Sequence, residues 1–158
     1  MNTTPTPAAP RGPVSYFSAG MLIVKRISRA TYPSATEVGI EFLFDPADPT
    51  AITLIVHIHI RGEQLHPQWR FAREMLDHGR VGPVGDGDVR IAPRARWAEL
   101  CLRLPAADRT LVLSVERIDI EGALEATEAL VPLAAPDPVP DPAAVDAELA
   151  AILAEGSR

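Results

Sequence analysis

Apolar and polar side chains alternate along much of the chain before residue 120, and this period of two is typical of strands with one buried face. The strongest alternation covers residues 51–60, where every second residue from Ile52 to Ile60 is aliphatic. Weaker alternation predicts further strands over residues 21–27, 38–44, 68–71, 89–91, 97–104 and 110–117.

The spacing of apolar residues changes in three other stretches, which predict helices. Residues 72–78 predict a short helix that Gly79 ends. Apolar positions three and four residues apart predict a second helix over residues 122–131. A third is predicted over residues 141–154, where an Asp-Pro pair is typical of a helix start. Strands first and helices last predict an α+β fold built on antiparallel sheets.

The two ends of the chain differ from its centre in composition. Four prolines among threonine and alanine before residue 14 leave little to bury, so we predict a disordered proline-rich leader over residues 1–18. Residues 19–158 are predicted to form one domain. From Ile120 onward there are eight acids and a single base, Arg158, so its C-terminal helix is predicted to present an acidic surface.

Composition narrows the class of protein. The chain has 158 residues, of which 47% are hydrophobic, which is enough to bury a sizeable core. No apolar run approaches the roughly 20 residues that span a bilayer, so we expect no membrane insertion and a cytoplasmic protein. The net charge of −6 disfavours non-specific nucleic-acid binding, which depends on Lys and Arg. Cys101 is the only cysteine, which excludes an internal disulfide and a cysteine-based zinc site.

His57 and His59 point to the same face of the predicted strand, and Glu63 follows four residues later. The spacing resembles the first metal motif of cupins, and these residue types suit zinc, iron or nickel. Ala51 and Arg70 stand where that motif has glycine. The favoured interpretation is therefore a solvent-facing pair of polar residues, and we expect no metal.

Other candidate chemistry is weaker still. The glycine-rich loop over residues 82–87 follows a helix and precedes a strand, which is the reverse of the order in a phosphate-binding loop. Cys101 lies between leucines in a predicted strand and is expected to be an inert buried thiol. Trp69 and Phe71 alternate with arginine, which would suit stacking on bases, but core packing is the favoured interpretation. We find no catalytic set and expect neither enzymatic activity nor a cofactor.

Several segments, in order, resemble the SsgA-like proteins, which are actinobacterial regulators of sporulation and cell division. Residues 69–76 read WRFAREML, where the family has Trp-x-Phe-Ala-Arg-Asp-Leu-Leu. Residues 85–93 read GDGDVRIAP, similar to the family's Gly-Thr-Gly-Asp-Val-Arg-Val-Trp-Pro. Residues 44–52 resemble its Tyr-Asp-x-x-Asp-Pro-Tyr-Ala-Val, with further similarity near residues 122–125 and 148–153. Thr50, Asp86 and Ala92 depart from these motifs.

The resemblance implies two antiparallel β-sheets in a curved sandwich or barrel-like arrangement, with a few helices, similar to Whirly-type proteins. It also implies that the protein has no enzymatic activity and forms a homotrimer. It further implies an adaptor role, in which the protein helps to position FtsZ, another family member or cell-wall synthesis at division septa. The motif residues that carry the resemblance, as partner or structural positions, are Trp69, Phe71, Arg73, Gly87, Asp88 and Arg90.

Two alternatives stay open from the sequence. A Whirly-like fold also suits a single-stranded nucleic-acid-binding protein, which would need a basic groove containing Arg70, Arg73, Arg90 or Arg94. A cupin-like metal-binding protein would be centred on His57, His59 and Glu63.

Overall fold

The computed structural model describes residues 12–26, 35–104 and 109–133. The predicted third helix and most of the leader lie outside these ranges. Eight strands are described: β1 (Val14–Arg26), β2 (Thr36–Phe44), β3 (Ala51–Ile60), β4 (Glu63–Leu65), β5 (Gln68–Ala72), β6 (Val89–Pro93), β7 (Trp97–Leu104) and β8 (Arg109–Glu116). The two helices in this part of the chain are α1 (Glu74–His78) and α2 (Arg117–Glu128).

All eight strands belong to one antiparallel sheet, in the order β4-β3-β2-β1-β8-β7-β6, with β5 also paired to β3. The α+β class is therefore confirmed. The prediction of two sheets is wrong for the described residues. β1 pairs with β2 on one side and with β8 on the other, and so joins all the strands into one sheet. β1 pairs with β2 over its first nine residues and with β8 over its last seven.

β3 forms one long hairpin with β4 and β5. The connecting residues Arg61 and Gly62 have φ of 50° and 83°, the signs of a type I′ turn, which matches the twist of a hairpin. Pro67 lacks an N–H, so the return strand is interrupted there and divides into β4 and β5. The carbonyl of Pro67 nevertheless accepts a 3.0 Å hydrogen bond from Val56 N–H. The sequence did not predict β4 because its three residues are exposed on both faces.

The inner face of the sheet supplies most of the core. The predicted alternation is confirmed, since Ile40, Leu54, Leu100 and Leu113 are fully buried and lie on four different strands. Helix α2 packs against this face, in contact with β1, β7 and β8, and buries Ile120 and two neighbouring residues of its apolar side. No helix among the described residues is long and apolar enough to cross a bilayer.

The largest differences from the predicted bounds lie at the starts of β1 and α2. β1 begins at Val14, so residues 14–18, which we assigned to a disordered leader, form a strand that pairs with β2. The prolines on which that prediction rested all precede this strand. Helix α2 begins at Arg117, directly after β8, rather than near residue 122. Gly79 does end α1, but with φ of −63°. Its role is spatial, since a Cβ there would lie 2.5 Å from Cγ2 of Ile91.

Candidate functional site

The six motif residues fall into two groups along the chain, which we call the two halves of the motif. The first half, Trp69, Phe71 and Arg73, lies inside the protein. Trp69 and Phe71 are 7% and 8% exposed and belong to the core, so the core-packing interpretation is confirmed. Both point inward from β5, because residues two apart in a strand share a face. The indole Nε1 of Trp69 donates a 2.8 Å hydrogen bond to the carbonyl oxygen of Arg103 in β7. This bond connects two strands that no ladder of backbone hydrogen bonds joins.

Arg73, the next motif residue, is a buried cation that holds the end of α2. Only 2% of the residue is exposed. Its Nη1 donates to the carbonyl oxygens of Thr127, at 3.4 Å, and Val131, at 2.7 Å. Its guanidinium lies 4.9 Å from the ring centre of Phe44, a cation–π distance. Burial lowers the pKa of Arg73, and the nearby carboxylate of Glu128 opposes that shift. The positive charge sits at the helix C-terminus, where the carbonyl dipoles favour it.

The second half of the motif lies at the surface. Gly87, Asp88 and Arg90 are exposed, whereas Val89 between them is buried. The carbonyl oxygen of Asp88 accepts a 2.8 Å hydrogen bond from the N–H of Arg103. The two halves of the motif therefore meet at the peptide backbone of one residue, Arg103. The sequence did not point to Arg103, because a backbone role leaves no side-chain signature.

The histidine candidates do not form the site that the cupin-like alternative needs. Glu63 lies opposite Ile60 across the hairpin, so it falls on the face away from His57 and His59. His57 instead contacts His66, with 2.8 Å between the two Nδ1 atoms, and its Nε2 lies 3.3 Å from a carboxylate oxygen of Glu41. The structure therefore does not bring together the three residues of the cupin-like alternative. In the described parts of the chain, no three His, Cys, Asp or Glu side chains are arranged to hold a metal ion.

The arginines do not line up as a nucleic-acid groove. Arg73 is buried, and Arg70 pairs with Asp48. Arg94 donates to a carboxylate oxygen of Glu99 at 3.1 Å. Of the four arginines that the nucleic-acid alternative needs, only Arg90 is exposed without an ion pair to another described residue.

The outer face of the sheet, opposite the core, carries exposed large apolar side chains. Phe17 and Met21 of β1 are 67% and 42% exposed, and Trp97 of β7 is 43% exposed. Between Met21 and Trp97 runs an open groove of about 510 Å³, which we name the outer-face groove. It is lined by Ala19, Gly20, Met21, Glu37, Trp97, Ser114 and Glu116. The sequence did not predict it, because it depends on strand neighbours that are distant in the chain.

Comparison with protein families gives a match over residues 38–135 to the model described as Streptomyces sporulation and cell division protein, SsgA. The sporulation-specific cell division protein SsgB of Frankia casuarinae is 32% identical over 112 residues, which is 70% of this chain and 74% of that protein. The SsgB of Streptomyces coelicolor is 32% identical over 91 residues, or 56% of this chain and 64% of that protein. The chain thus spans less than two thirds of the Streptomyces relative.

Two solved structures share the fold. One, described with mutations in SsgB that correlate to longitudinal cell division during sporulation of Streptomyces coelicolor, has a TM-score of 0.59 and 26% identity. The alignment covers 76% of this chain and 91% of that one. An SsgA-like sporulation-specific cell division protein from Thermobifida fusca has a TM-score of 0.58 and 24% identity, over 94% and 99% of the two chains. The sequence motifs of the present chain, its fold and these matches agree. The chain belongs to the SsgA family of sporulation and cell division proteins.

Proposed function

We propose that this protein is a non-enzymatic regulator of sporulation-specific cell division, acting as an adaptor through protein contacts. Its relatives are named as sporulation-specific cell division proteins, which supports the process. The observation that carries the adaptor role is the outer face, where Phe17, Met21 and Trp97 stay exposed beside an open groove. Exposed apolar clusters of this kind are typical of protein interaction sites.

The positions of the buried motif residues also support a role for the outer face in binding. Trp69, Phe71 and Arg73 are occupied in holding β5, β7 and α2 together, so they fix the scaffold and leave the outer face for partners. The partners that we propose are FtsZ, the cell-wall synthesis machinery or another member of the family. The protein acts from the cytoplasm and is recruited to division septa.

We also propose a homotrimer, which the family resemblance implies. A homotrimer would present several copies of the outer face, and linked binding sites gain avidity without new contacts. Multi-angle light scattering on the purified full chain checks the assembly. A mass three times that of the chain is the expected result, and a strict monomer at all concentrations would contradict it.

The proposed role is tested in a strain that lacks the gene. We expect sporulating hyphae of that strain to form fewer or misplaced septa, and the intact gene to restore them. A fluorescent fusion should lie with FtsZ at the sites of septation. Normal septation in the deletion strain would contradict the proposed role, whether or not the protein forms a trimer.

A further inference from the structure

The outer-face groove is built from two cross-strand pairs, each of which places a large apolar side chain opposite a glutamate. Met21 of β1 pairs with Glu37 of β2, and Trp97 of β7 pairs with Glu116 of β8. Directly opposite residues on neighbouring strands have Cβ atoms about 5 Å apart and share a face. The groove therefore has two apolar walls, each with an acidic neighbour.

Small residues form the floor between these walls. Ala19 and Gly20 of β1 and Ser114 of β8 line the groove beneath Met21 and Trp97. Its volume of about 510 Å³ falls within the range of roughly 300–1,000 Å³ that is usual for ligand pockets. This space suits one large side chain and a short stretch of its backbone rather than the broad surface of a folded domain.

The charged side chains that line the groove, among the residues that the structure describes, are both acidic. They are Glu37 and Glu116, and no described lysine or arginine lines it. Both glutamates are exposed, and neither makes an ion pair with another residue that the structure describes. A basic occupant would gain attraction from both carboxylates, whereas an acidic one would be repelled.

We infer that the outer-face groove binds a short segment of a partner protein that carries one large apolar side chain flanked by Lys or Arg. The apolar side chain lies between Met21 and Trp97, and the flanking cations face Glu37 and Glu116. Aromatic residues at the centre of an interface often dominate its binding energy, which makes Trp97 the principal contact. This inference rests on the proposed adaptor role and specifies the chemistry of the partner.

The test uses the purified full chain and a phage-displayed library of random peptides about 12 residues long. We expect selection to enrich peptides with an aromatic or large aliphatic residue between basic ones. The dissociation constant of an enriched, fluorescently labelled peptide is then measured by anisotropy. The double variant Glu37→Arg with Glu116→Arg should weaken binding by at least about tenfold, as should Trp97→Ala.

The matched control is Glu63→Arg with Glu125→Arg, which changes the net charge equally at two exposed positions that do not line the groove. Leu65→Ala is the control for Trp97→Ala. Both controls should leave the dissociation constant unchanged, and the wild-type affinity should fall as salt is added.

Failure to enrich any peptide, enrichment of acidic peptides, or equal binding by the groove variants and the controls would overturn the inference. These outcomes can be distinguished from failure of the proposed function, because septation in the deletion strain does not depend on them. A septation defect without any selected basic peptide would leave the adaptor role standing and remove this account of its partner.

Discussion

Nε1 of Trp69 lies 2.8 Å from the carbonyl oxygen of Arg103, and this hydrogen bond joins β5 and β7 from opposite halves of the sheet. The N–H of Arg103 in turn donates to the carbonyl of Asp88. One backbone unit therefore holds both halves of the family motif. The sheet must curl for these strands to meet, and the curl encloses the core.

The indole hydrogen bond gives a first prediction. Trp69→Phe keeps an aromatic ring but removes the donor, so it leaves the Arg103 carbonyl without this partner and the core slightly underfilled. We expect the free energy of unfolding to fall by about 1–3 kcal/mol. Urea denaturation followed by circular dichroism measures it. An unchanged midpoint would show that the bond contributes nothing to stability.

Phe71 tests the packing of β5 against the core. The ring is buried, so Phe71→Ala removes its contacts and leaves a cavity, at a cost of about 3–5 kcal/mol. Leu65→Ala, at an exposed position of β4, is the control and should change stability by less than about 0.5 kcal/mol. A cost under about 1 kcal/mol for Phe71→Ala would mean that the ring is not part of the core.

Arg73 tests how the end of α2 is held. Arg73→Ala removes the donor to the Thr127 and Val131 carbonyls and should cost about 2–4 kcal/mol. Arg73→Lys keeps the charge without the planar guanidinium and should recover only part of that loss. Thermal unfolding of the wild type and of Arg73→Ala, Arg73→Lys and Arg73→Met measures the order of stability. A more stable Arg73→Met protein would contradict the account, because burial would then cost more than the bonds return.

Two glycines of the motif loop form a matched pair. Gly85 has φ of 95°, and a Cβ there would overlap the carbonyl of Val89 and lie 2.8 Å from Cε of Met75. Gly85→Ala should therefore destabilise by about 1–3 kcal/mol. A Cβ at Gly87 meets open space, so Gly87→Ala should stay within about 0.5 kcal/mol of wild type. Equal effects in denaturation experiments would contradict this difference.

Local patterns in the sequence predicted most of the fold. β3 and β7 have the predicted bounds, because strict alternation marks a strand with one buried face. The first half of β1 was missed, since Ser15, Ser18 and Gly20 form a strand only because β2 lies alongside them. Tertiary pairing of this kind leaves no local pattern.

The candidate site was harder to predict than the fold. Motif resemblance identified the family, but the buried positions of Trp69, Phe71 and Arg73 show that these residues support the scaffold. The cupin-like alternative required His57, His59 and Glu63 to lie on one face. The turn at residues 61–62 places Glu63 on the other face, and the spacing alone did not reveal that turn. The outer-face groove joins residues from four strands, so it could be found only once the sheet order was known.

The central claim is that the outer face, and not the buried motif residues Trp69, Phe71 and Arg73, performs the adaptor function. The most direct measurement counts sporulation septa in the deletion strain carrying the double variant Met21→Ala with Trp97→Ala. The control strain carries Ile60→Ala with Leu65→Ala, which removes exposed apolar side chains elsewhere. We expect both proteins to unfold at the wild-type midpoint, and only the control to restore regular septa. Full restoration by the groove variant would contradict the account.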